Sequence, residues 1–310
     1  MLRVLTLSTL FPDASRPRFG PFVERQTLGI AGHPDVDLKV VAPIGIPLWP
    51  LSLHPRYRAL CTLPKRETWQ GLDIFRPRFT HVPATGGQFD AGALARRLIP
   101  LLSEIRRDFP FDLIDAEFFF PDGPAAVRLG QHFDVPVSIK ARGADIHLWG
   151  SNPGTAQQVL DAGRAAEGLL TVSQALKADM VALGMPGECI RVHYTGVDLE
   201  RFNPLDRTKA KAALGITGPL IASVGALIPR KGQSILIDAL SSLPDATLVL
   251  VGHGESRASL QQQAHHAGVA DRVIFTGPLD HDAIAQWLGA ADVMALLSAS
   301  EGLANAWVEA

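Results

Sequence analysis

Short, β-branched apolar runs alternate with longer amphipathic segments along almost the whole chain. Such short runs, bounded by turn residues, predict buried strands, and the amphipathic segments between them predict helices. Strand and helix in alternation favour a parallel sheet with helices on both faces. In the first half of the chain, this pattern predicts strands at 2–7, 38–41, 112–116, 135–139, 168–172 and 190–193. It predicts helices at 21–32, 91–108, 124–132, 156–166 and 174–183, and an irregular hairpin or edge element at 67–79.

A second alternation follows the polar stretch 201–211. We therefore predict two domains, one over 1–205 and one over 206–310. Because 305–310 resembles only the first turns of a helix, we expect the second domain to be incomplete. In the second domain, the same pattern predicts strands at 219–224, 246–251, 272–275 and 293–297, and helices at 231–243, 256–267 and 282–288.

The composition excludes several classes of protein. A net charge of −2 argues against a nucleic-acid binder, which usually shows a basic excess. Two cysteines far apart in the sequence argue against a disulfide framework and favour a cytoplasmic protein. No apolar run approaches the roughly 20 residues that a membrane-spanning helix needs.

Two glutamates, Glu301 and Glu309, are separated by seven intervening residues, after a predicted strand and across the predicted start of a helix. A carboxylate accepts two hydrogen bonds from a vicinal diol, which is how proteins bind sugars and ribose. The helix N-terminus between them offers unpaired N–H groups to a diphosphate. Two solvent-facing acids are the alternative interpretation of the spacing alone.

A cation pair, Arg230-Lys231, follows the predicted strand 219–224. Both side chains suit phosphate oxygens, and cations at a helix N-terminus conflict with the helix dipole unless an anion lies nearby. A solvated helix start is the alternative. Gly20, between Phe19 and Pro21, permits a close backbone approach to a ligand, or forms a plain turn.

Further motifs accompany these residues in order along the chain. The segment 301–309 resembles the E-x7-E signature of family-4 retaining glycosyltransferases, which have the GT-B fold. A single glycine loop is weak evidence, but this set runs over essentially the whole chain. The segments that resemble other motifs of the family are Arg18-Phe-Gly-Pro-Phe-Val-Glu-Arg-Gln26, Pro121-Asp-Gly123, Arg142-Gly-Ala-Asp145, Thr195-Gly-Val-Asp198, Val224-Gly-Ala-Leu-Ile-Pro-Arg-Lys-Gly232 and Val251-Gly-His-Gly-Glu255.

The resemblance implies an α/β protein with two Rossmann-like parallel-sheet domains facing across a cleft. It makes 1–205 the acceptor-side domain and 206–310 the nucleotide-sugar-binding domain. It implies transfer of a sugar, with retention, from a UDP- or GDP-linked donor to a glycan or lipid-linked acceptor in exopolysaccharide or lipopolysaccharide synthesis. No metal and no cofactor are expected, because the nucleotide sugar is a co-substrate. The implied catalytic residue is Glu301; the implied donor-binding residues are Gly20, Arg230, Lys231, Gly254, Leu303, Ala304, Asn305 and Glu309; the implied acceptor-side residues are Asp122, Arg142 and Asp145.

Two departures from the family pattern stand out. Ala226 replaces an arginine that usually binds the diphosphate, and Glu117 replaces a histidine before the Pro-Asp-Gly loop. We therefore assign no catalytic histidine. The adjacent His265 and His266 do not form a metal site, because neighbouring helix side chains diverge by about 100°.

Other interpretations remain open. A nucleotide-sugar epimerase of the same fold shares the donor site, and an inactive or donor-binding-only fragment is the other alternative. A dinucleotide-dependent dehydrogenase is disfavoured, because no Gly-x-Gly-x-x-Gly follows the first strand. The loop 44–63, which carries Trp49, Leu51, Leu53 and Tyr57, either contacts a membrane surface peripherally or packs against its own domain.

Overall fold

The computed structural model describes residues 1–17 and 19–310, and the chain forms two compact units, Met1–Tyr194 and Thr195–Ala310. Arg18, the first residue of the glycine-loop motif, lies outside the described residues. The predicted domain boundary at 205/206 stays a prediction. The α/β class with parallel sheets is confirmed, since each unit contains a parallel sheet flanked by helices.

The first unit contains an eight-stranded sheet in the order β10-β9-β8-β7-β1-β2-β5-β4, and a separate parallel pair, β3-β6. All neighbours in the large sheet are parallel except β4 and β5. The strands are β1 (Leu2–Leu7), β2 (Val36–Val41), β3 (Ile44–Ile46), β4 (Arg66–Trp69), β5 (Leu72–Phe75), β6 (Arg78–Thr80), β7 (Leu113–Ala116), β8 (Val137–Ala141), β9 (Gly168–Thr171) and β10 (Ile190–Val192). The helices are α1 (Pro21–Ala31), α2 (Pro55–Thr62), α3 (Asp90–Asp108), α4 (Asp122–Phe133), α5 (Ala156–Ala165) and α6 (Gln174–Ala182).

Helix α3 shows how the apolar periodicity builds this unit. Leu94, Leu98 and Leu102 recur every four residues, and each is 0% exposed. This spacing places them on one face of the helix, so the face is buried while the charged residues between them stay outside. The sequence pattern therefore fixes which side of α3 packs inward.

The hairpin predicted at 67–79 is confirmed. Strand β4 pairs with β5 in antiparallel register at the edge of the large sheet. The turn between them, Gln70-Gly71, has φ values of 47° and 84°. Two consecutive positive φ values match the tight hairpin turn whose twist suits the flanking strands.

The proline-rich segment 43–64, which includes the predicted loop 44–63, contains regular secondary structure. It contains β3, a short 3₁₀ turn at Leu51–Leu53 and α2. Ile44, Leu60 and Leu63 are buried together in one small cluster. The sequence did not predict this local core, because its few apolar residues are interspersed with prolines and other residues that favour turns.

The second unit contains a four-stranded parallel sheet in the order β13-β12-β11-β14. Leu248 and Leu250 of β12 pack into one buried cluster, and Val249 and Val251 into another, so both faces of the sheet are covered. The strands are β11 (Leu220–Val224), β12 (Thr247–Val251), β13 (Val273–Gly277) and β14 (Val293–Met294). The helices are α7 (Arg207–Ala213), α8 (Gln233–Leu240), α9 (Arg257–His266), α10 (His281–Ala290) and α11 (Asn305–Glu309).

Three predictions for this unit differ from the structure. The strand expected at 293–297 already ends at Met294. The helix expected at 231–243 begins only at Gln233, because Gly232 adopts a left-handed conformation with φ 69° and ends a separate 3₁₀ turn, Pro229–Lys231. Helix α7 lies largely within the stretch predicted to be a polar connection, and it begins where the side chain of Asp206 caps it. Across the described ranges, no helix combines the length and the apolar character needed to cross a membrane.

Candidate active site

The carboxyl edge of the second sheet contains the predicted cation pair and the first predicted glutamate. The chain runs outward from β11 to β12 and β13 and then returns to β14 on the other side of β11. Open α/β sheets bind ligands at such a reversal of strand order, where the loops after two neighbouring strands diverge. Lys231 follows β11 and Glu301 follows β14, so both lie after the carboxyl ends of these two strands.

The charged groups of these two loops meet. The Lys231 ammonium donates to the Glu301 carboxylate, and a guanidinium nitrogen of Arg230 lies 3.6 Å from the same oxygen. The side chains of Lys231 and Glu301 are 14% and 13% exposed, and that of Arg230 is 42% exposed. Two cations face one carboxylate, so the cluster keeps a net positive charge with which to receive an anion.

Backbone contacts hold the two loops together. A Cβ on Gly232 would lie 2.1 Å from the carbonyl oxygen of Leu297, which leaves no room for a side chain. The N–H of Ala299 donates to the carbonyl of Arg230 at 2.9 Å, and the Arg230 guanidinium donates to the carbonyl of Ser300. The position of Lys231 therefore follows from its glycine neighbour and from the loop after β14.

Gly254 has a similar role after β12. A Cβ at this position would lie 2.2 Å from the carbonyl oxygen of Leu227, and the N–H of Leu227 donates to the carbonyl of His253 at 2.9 Å. The glycine thus joins the loop after β12 to the loop after β11. Gly254 therefore approaches the protein's own backbone closely. This contact helps to set the shape of the loop after β11, which carries Arg230 and Lys231.

The remaining predicted donor residues lie at α11. Ala304 precedes the helix and is 8% exposed, while Leu303 and Asn305 are half-buried on either side of it. Glu309 is the last residue of α11 and is half-buried. Ala304 has no side-chain oxygen to cap the helix, so the first N–H groups of α11 are not satisfied by the residue before them.

In the first unit, Gly20 precedes α1 with φ 67°, and a Cβ there would lie 2.0 Å from the carbonyl oxygen of Leu10. The glycine is needed because the loop after β1 passes against it. The close approach that the structure shows is to the chain itself, and the approach of Gly20 to a ligand stays a prediction.

The two predicted acceptor-side aspartates do not face solvent. Asp122 and Asp145 are both 0% exposed. Asp122 accepts from the N–H of Thr9 at 2.8 Å, and Asp145 accepts from the N–H groups of Phe119 and Gly143 at 3.0 and 2.7 Å. Burial raises the pKa of Asp122 to about 7 and also raises the pKa of Asp145. These enclosed carboxylates bind backbone N–H groups and therefore hold their loops in place, and the implied acceptor-side role of the two residues stays a prediction.

The third acceptor-side residue, Arg142, belongs to a buried network that the sequence did not predict. Its guanidinium pairs with the carboxylate of Glu117 and donates to the carbonyl of Glu117 at 2.8 Å. Glu117 is 0% exposed and also accepts from Gln26. The glutamate that replaces the family's histidine thus holds an arginine at the carboxyl edge, where β7 and β8 end.

Lys140 and His193 extend this network. Lys140, only 1% exposed, donates to Gln26, and its ammonium lies 2.7 Å from Nδ1 of His193, an exposed residue just after β10. Burial, with Arg142 nearby, lowers the pKa of Lys140 to about 8. Burial and then the Lys140 charge lower the pKa of His193. With Nδ1 accepting from an ammonium, neutral His193 carries its proton on Nε2.

Asp115, the third residue of β7, lies beside the network. Its carboxylate accepts from the Ser138 hydroxyl, and burial, followed by the charge of Glu117, raises its pKa to about 8. One signal in the sequence pointed to this region. Asp115, Glu117 and Lys140 are charged residues in or beside strands that are otherwise apolar, and parallel strands rarely contain such residues without a partner.

His147 lies 2.9 Å from a carboxylate oxygen of Asp179, and His265 and His266 lie in the last turn of α9. Throughout residues 1–17 and 19–310, no group of three or more His, Cys, Asp or Glu side chains is placed to hold a metal ion.

Two family models match the chain in succession. The model of Glycosyltransferase Family 4 matches residues 39–201, which is more than half of the chain, and the model of Glycosyl transferases group 1 matches residues 206–310. The chain belongs to glycosyltransferase family 4. Its second unit carries the charge cluster in the region matched by the group 1 model.

Curated relatives agree with this membership. The chain is 28% identical over 318 residues to a protein named as a teichuronic acid biosynthesis glycosyltransferase, TuaC, of Bacillus subtilis (strain 168), covering 100% of this chain and 78% of the relative. It is 35% identical over 163 residues to a D-inositol 3-phosphate glycosyltransferase of Mycolicibacterium gilvum (strain PYR-GCK), covering 50% of this chain and 36% of the relative.

Solved structures establish the GT-B fold. Sucrose-phosphate synthase from Thermosynechococcus elongatus superposes with a TM-score of 0.78 at 18% identity, over 100% of this chain and 78% of that one. Anabaena HepE, solved with UDP and glucose, gives 0.68 at 21% identity over the same shares. UDP-GlcNAc 2-epimerase from Neisseria meningitidis gives 0.52 at 13% identity, over 94% of this chain and 76% of that one. At these identities the likenesses show the fold alone.

Proposed function

We propose that this family-4 glycosyltransferase moves a sugar from a UDP- or GDP-linked donor to an acceptor hydroxyl, with retention at the anomeric carbon. The observation that carries the proposal is the meeting of Lys231, Arg230 and Glu301 at the strand-order reversal of the second sheet. The complex of HepE with UDP and glucose supports a nucleotide-sugar donor.

The cation pair stabilises the leaving diphosphate. Negative charge grows on the diphosphate as its bond to the sugar breaks, and fixed positive groups lower the barrier most when they are already oriented. Lys231 is oriented by Glu301, and Arg230 by the carbonyl of Ser300. The N–H groups of Leu303, Ala304 and Asn305 supply further donors near the start of α11. Arg230 takes over the role of the arginine that the family usually has at the position where this chain has Ala226.

The carboxylates bind hydroxyl groups. Glu301 accepts from the hydroxyls of the donor sugar, and Glu309 accepts from those of the ribose. Glu301 is the catalytic residue in this scheme because it fixes the anomeric carbon beside the phosphate that leaves.

Retention follows from a reaction on one face of the sugar. The bond between the anomeric carbon and the phosphate oxygen breaks, and the acceptor oxygen forms its bond on the same face. The acceptor's proton passes to the leaving phosphate, so the protein supplies no nucleophile. Neither metal nor cofactor is required, because cations and backbone N–H groups balance the charge.

The acceptor binds at the carboxyl edge of the first sheet. Arg142 and His193 lie there, held by Glu117 and Lys140. The name of the Bacillus relative, a teichuronic acid biosynthesis glycosyltransferase, supports a role in the synthesis of a surface glycan. Our proposal includes a glycan or lipid-linked acceptor in exopolysaccharide or lipopolysaccharide synthesis, and a reaction in the cytoplasm with peripheral contact to the inner face of the cell membrane.

The test is a transfer assay with a panel of UDP- and GDP-sugars, in which wild type is compared with Glu301→Gln. The neutral amide keeps the shape of the side chain but loses the charge, so transfer is expected to fall to background. Glu104→Gln, the same change on an exposed helix position, serves as the matched control. Activity of Glu301→Gln within twofold of wild type refutes the assignment of Glu301.

The same assay separates the alternatives. Donor consumption without transfer to an acceptor identifies an epimerase. Thermal stabilisation by a nucleotide sugar without turnover identifies a donor-binding-only protein. Because the epimerase and the glycosyltransferases share a fold, only the products of the reaction distinguish them.

A further inference from the structure

The segment between β3 and α2 exposes a cluster of large apolar side chains. We define the apolar patch as Leu48, Trp49, Leu51 and Leu53, which are 68%, 78%, 55% and 60% exposed. The sequence left open whether this segment packs against its own domain. The structure answers for these four residues, because each is more than half exposed.

The patch has a fixed local shape. The N–H of Leu53 donates to the carbonyl of Pro50 at 3.0 Å, and the N–H of His54 donates to the carbonyl of Leu51 at 3.1 Å. On either side, Ile44 and Leu60 are buried in the same small cluster. The exposed side chains are thus presented by an anchored turn.

The segment of chain that carries the patch contains charges of one sign only. From Leu38 to Arg66 the chain contains no Asp or Glu, although the whole chain has a net charge of −2. Two of its cations, Lys39 and Arg66, pair with Asp73. Across the described residues, no carboxylate forms an ion pair with the remaining cations of this segment, which are Arg56, Arg58 and Lys65.

We propose that the apolar patch and these three cations dock onto the surface of an anionic lipid bilayer. Leucine and tryptophan enter the boundary between headgroups and acyl chains, where the amphipathic indole is stable. Arginine and lysine beside them stay at the headgroups and are attracted by anionic lipid. Nucleic acid would also attract the cations, but it offers no apolar layer for three leucines. The proposal does not rest on the sugar-transfer reaction.

The test is co-sedimentation of the full chain with vesicles, either of phosphatidylcholine alone or with one third phosphatidylglycerol. Wild type is expected to bind the anionic vesicles at low salt and to lose most of this binding in 0.5 M NaCl. The variant Trp49→Ser/Leu51→Ser/Leu53→Ser is expected to bind at least about tenfold more weakly, because it removes apolar area from the contact.

A second variant tests the charge. Arg56→Gln/Arg58→Gln is expected to bind anionic vesicles about thirtyfold more weakly, at about 1 kcal/mol for each cation. The matched controls are Leu243→Ser for the apolar changes and Arg96→Gln/Arg107→Gln for the charge changes, all at exposed positions elsewhere. Both controls are expected to bind like wild type. Circular dichroism melting checks that every variant folds.

Two results overturn the proposal. One is absence of wild-type binding to anionic vesicles, and the other is equal binding by wild type and the triple serine variant. If wild type instead forms a dimer that the triple variant abolishes, the patch belongs to an interface between copies. Vesicle binding needs no sugar substrate, so its failure is distinct from a failure of the proposed transfer reaction.

Discussion

The two units place their charged groups at the carboxyl edges of their sheets in different ways. In the second unit, Lys231 and Glu301 are partly exposed and come from two loops that follow neighbouring strands. In the first unit, Glu117 and Lys140 are enclosed. Gln26 forms a hydrogen bond with each of them, although they lie 91 and 114 residues after it in the sequence.

Under the proposed function, this difference distinguishes charged groups that bind a ligand from charged groups that stabilise the fold. Partly exposed charges retain solvent access and can exchange partners with a ligand at small cost. Enclosed charges have lost their water, so each depends on its protein partner. We therefore expect changes in the second unit to affect activity more than stability, and changes in the first unit to do the reverse.

The largest effect on stability is expected for Arg142→Ala. This change leaves Glu117 buried without its cation, which costs about 3–5 kcal/mol of unfolding free energy. Arg201→Ala, which breaks ion pairs whose acidic partners are 36% and 79% exposed, is the control and is expected to cost less than about 1 kcal/mol. Urea unfolding measures both. Similar losses for the two variants would remove the contrast between the units.

Lys231→Ala is expected to show the opposite pattern. Loss of a fixed cation beside a leaving diphosphate is expected to lower kcat by about 10²–10³-fold, the usual effect of removing one oriented donor. The melting temperature is expected to stay close to that of wild type. Lys209→Ala, at a side chain that is 86% exposed, should leave kcat unchanged. A large loss of stability with normal kcat would make Lys231 a structural residue.

Gly232→Ala tests whether the loop contact positions the cation. The new Cβ would meet the Leu297 carbonyl at 2.1 Å and would occupy a left-handed conformation, so a loss of about 1–3 kcal/mol is expected. Gly215→Ala has nearly the same φ, 71°, but nothing lies within 4 Å of its Cβ. The excess cost over this control measures the clash alone. No excess in thermal melting would show that the two loops separate easily.

The last expected effect is on the pH dependence of stability. Asp115 has a pKa of about 8 in the folded protein against an ordinary pKa of 3.8, so the folded state binds more protons between these pH values. The contribution of Asp115 to the free energy of unfolding is fully present below about pH 4. It is lost as the pH rises towards 8, by at most about 1.4 kcal/mol per pH unit.

Asp115→Asn removes this titration. Melting curves from pH 4 to 8 are expected to fall less steeply for the variant than for wild type. Asp112→Asn is the control in the same unit, because the pKa of Asp112 is lowered to about 2, chiefly by its hydrogen bond with Arg3, and that group does not titrate in this range. Parallel curves for wild type and Asp115→Asn would contradict a raised pKa for Asp115.

The strand and helix pattern was largely predictable because it depends on local properties. The alternation predicted both parallel sheets, and most bounds differ from the structure by one or two residues. The exceptions depend on contacts that are distant in sequence. Gly232 ends its turn because Leu297 passes beside it, and 43–64 is ordered because Ile44 meets Leu60 and Leu63.

By itself, the sequence determined the fold class, the family and the position of the loops that follow each strand, because apolar periodicity and short motifs are read along one stretch of chain. Only the tertiary structure decided which charges meet. It joined Lys231 to Glu301, enclosed Asp122 and Asp145 as loop anchors, and assembled Gln26, Glu117, Lys140 and Arg142 into one network. The free energy of a buried charge depends on its partner and its lost water, and neither is visible until the strands are placed side by side.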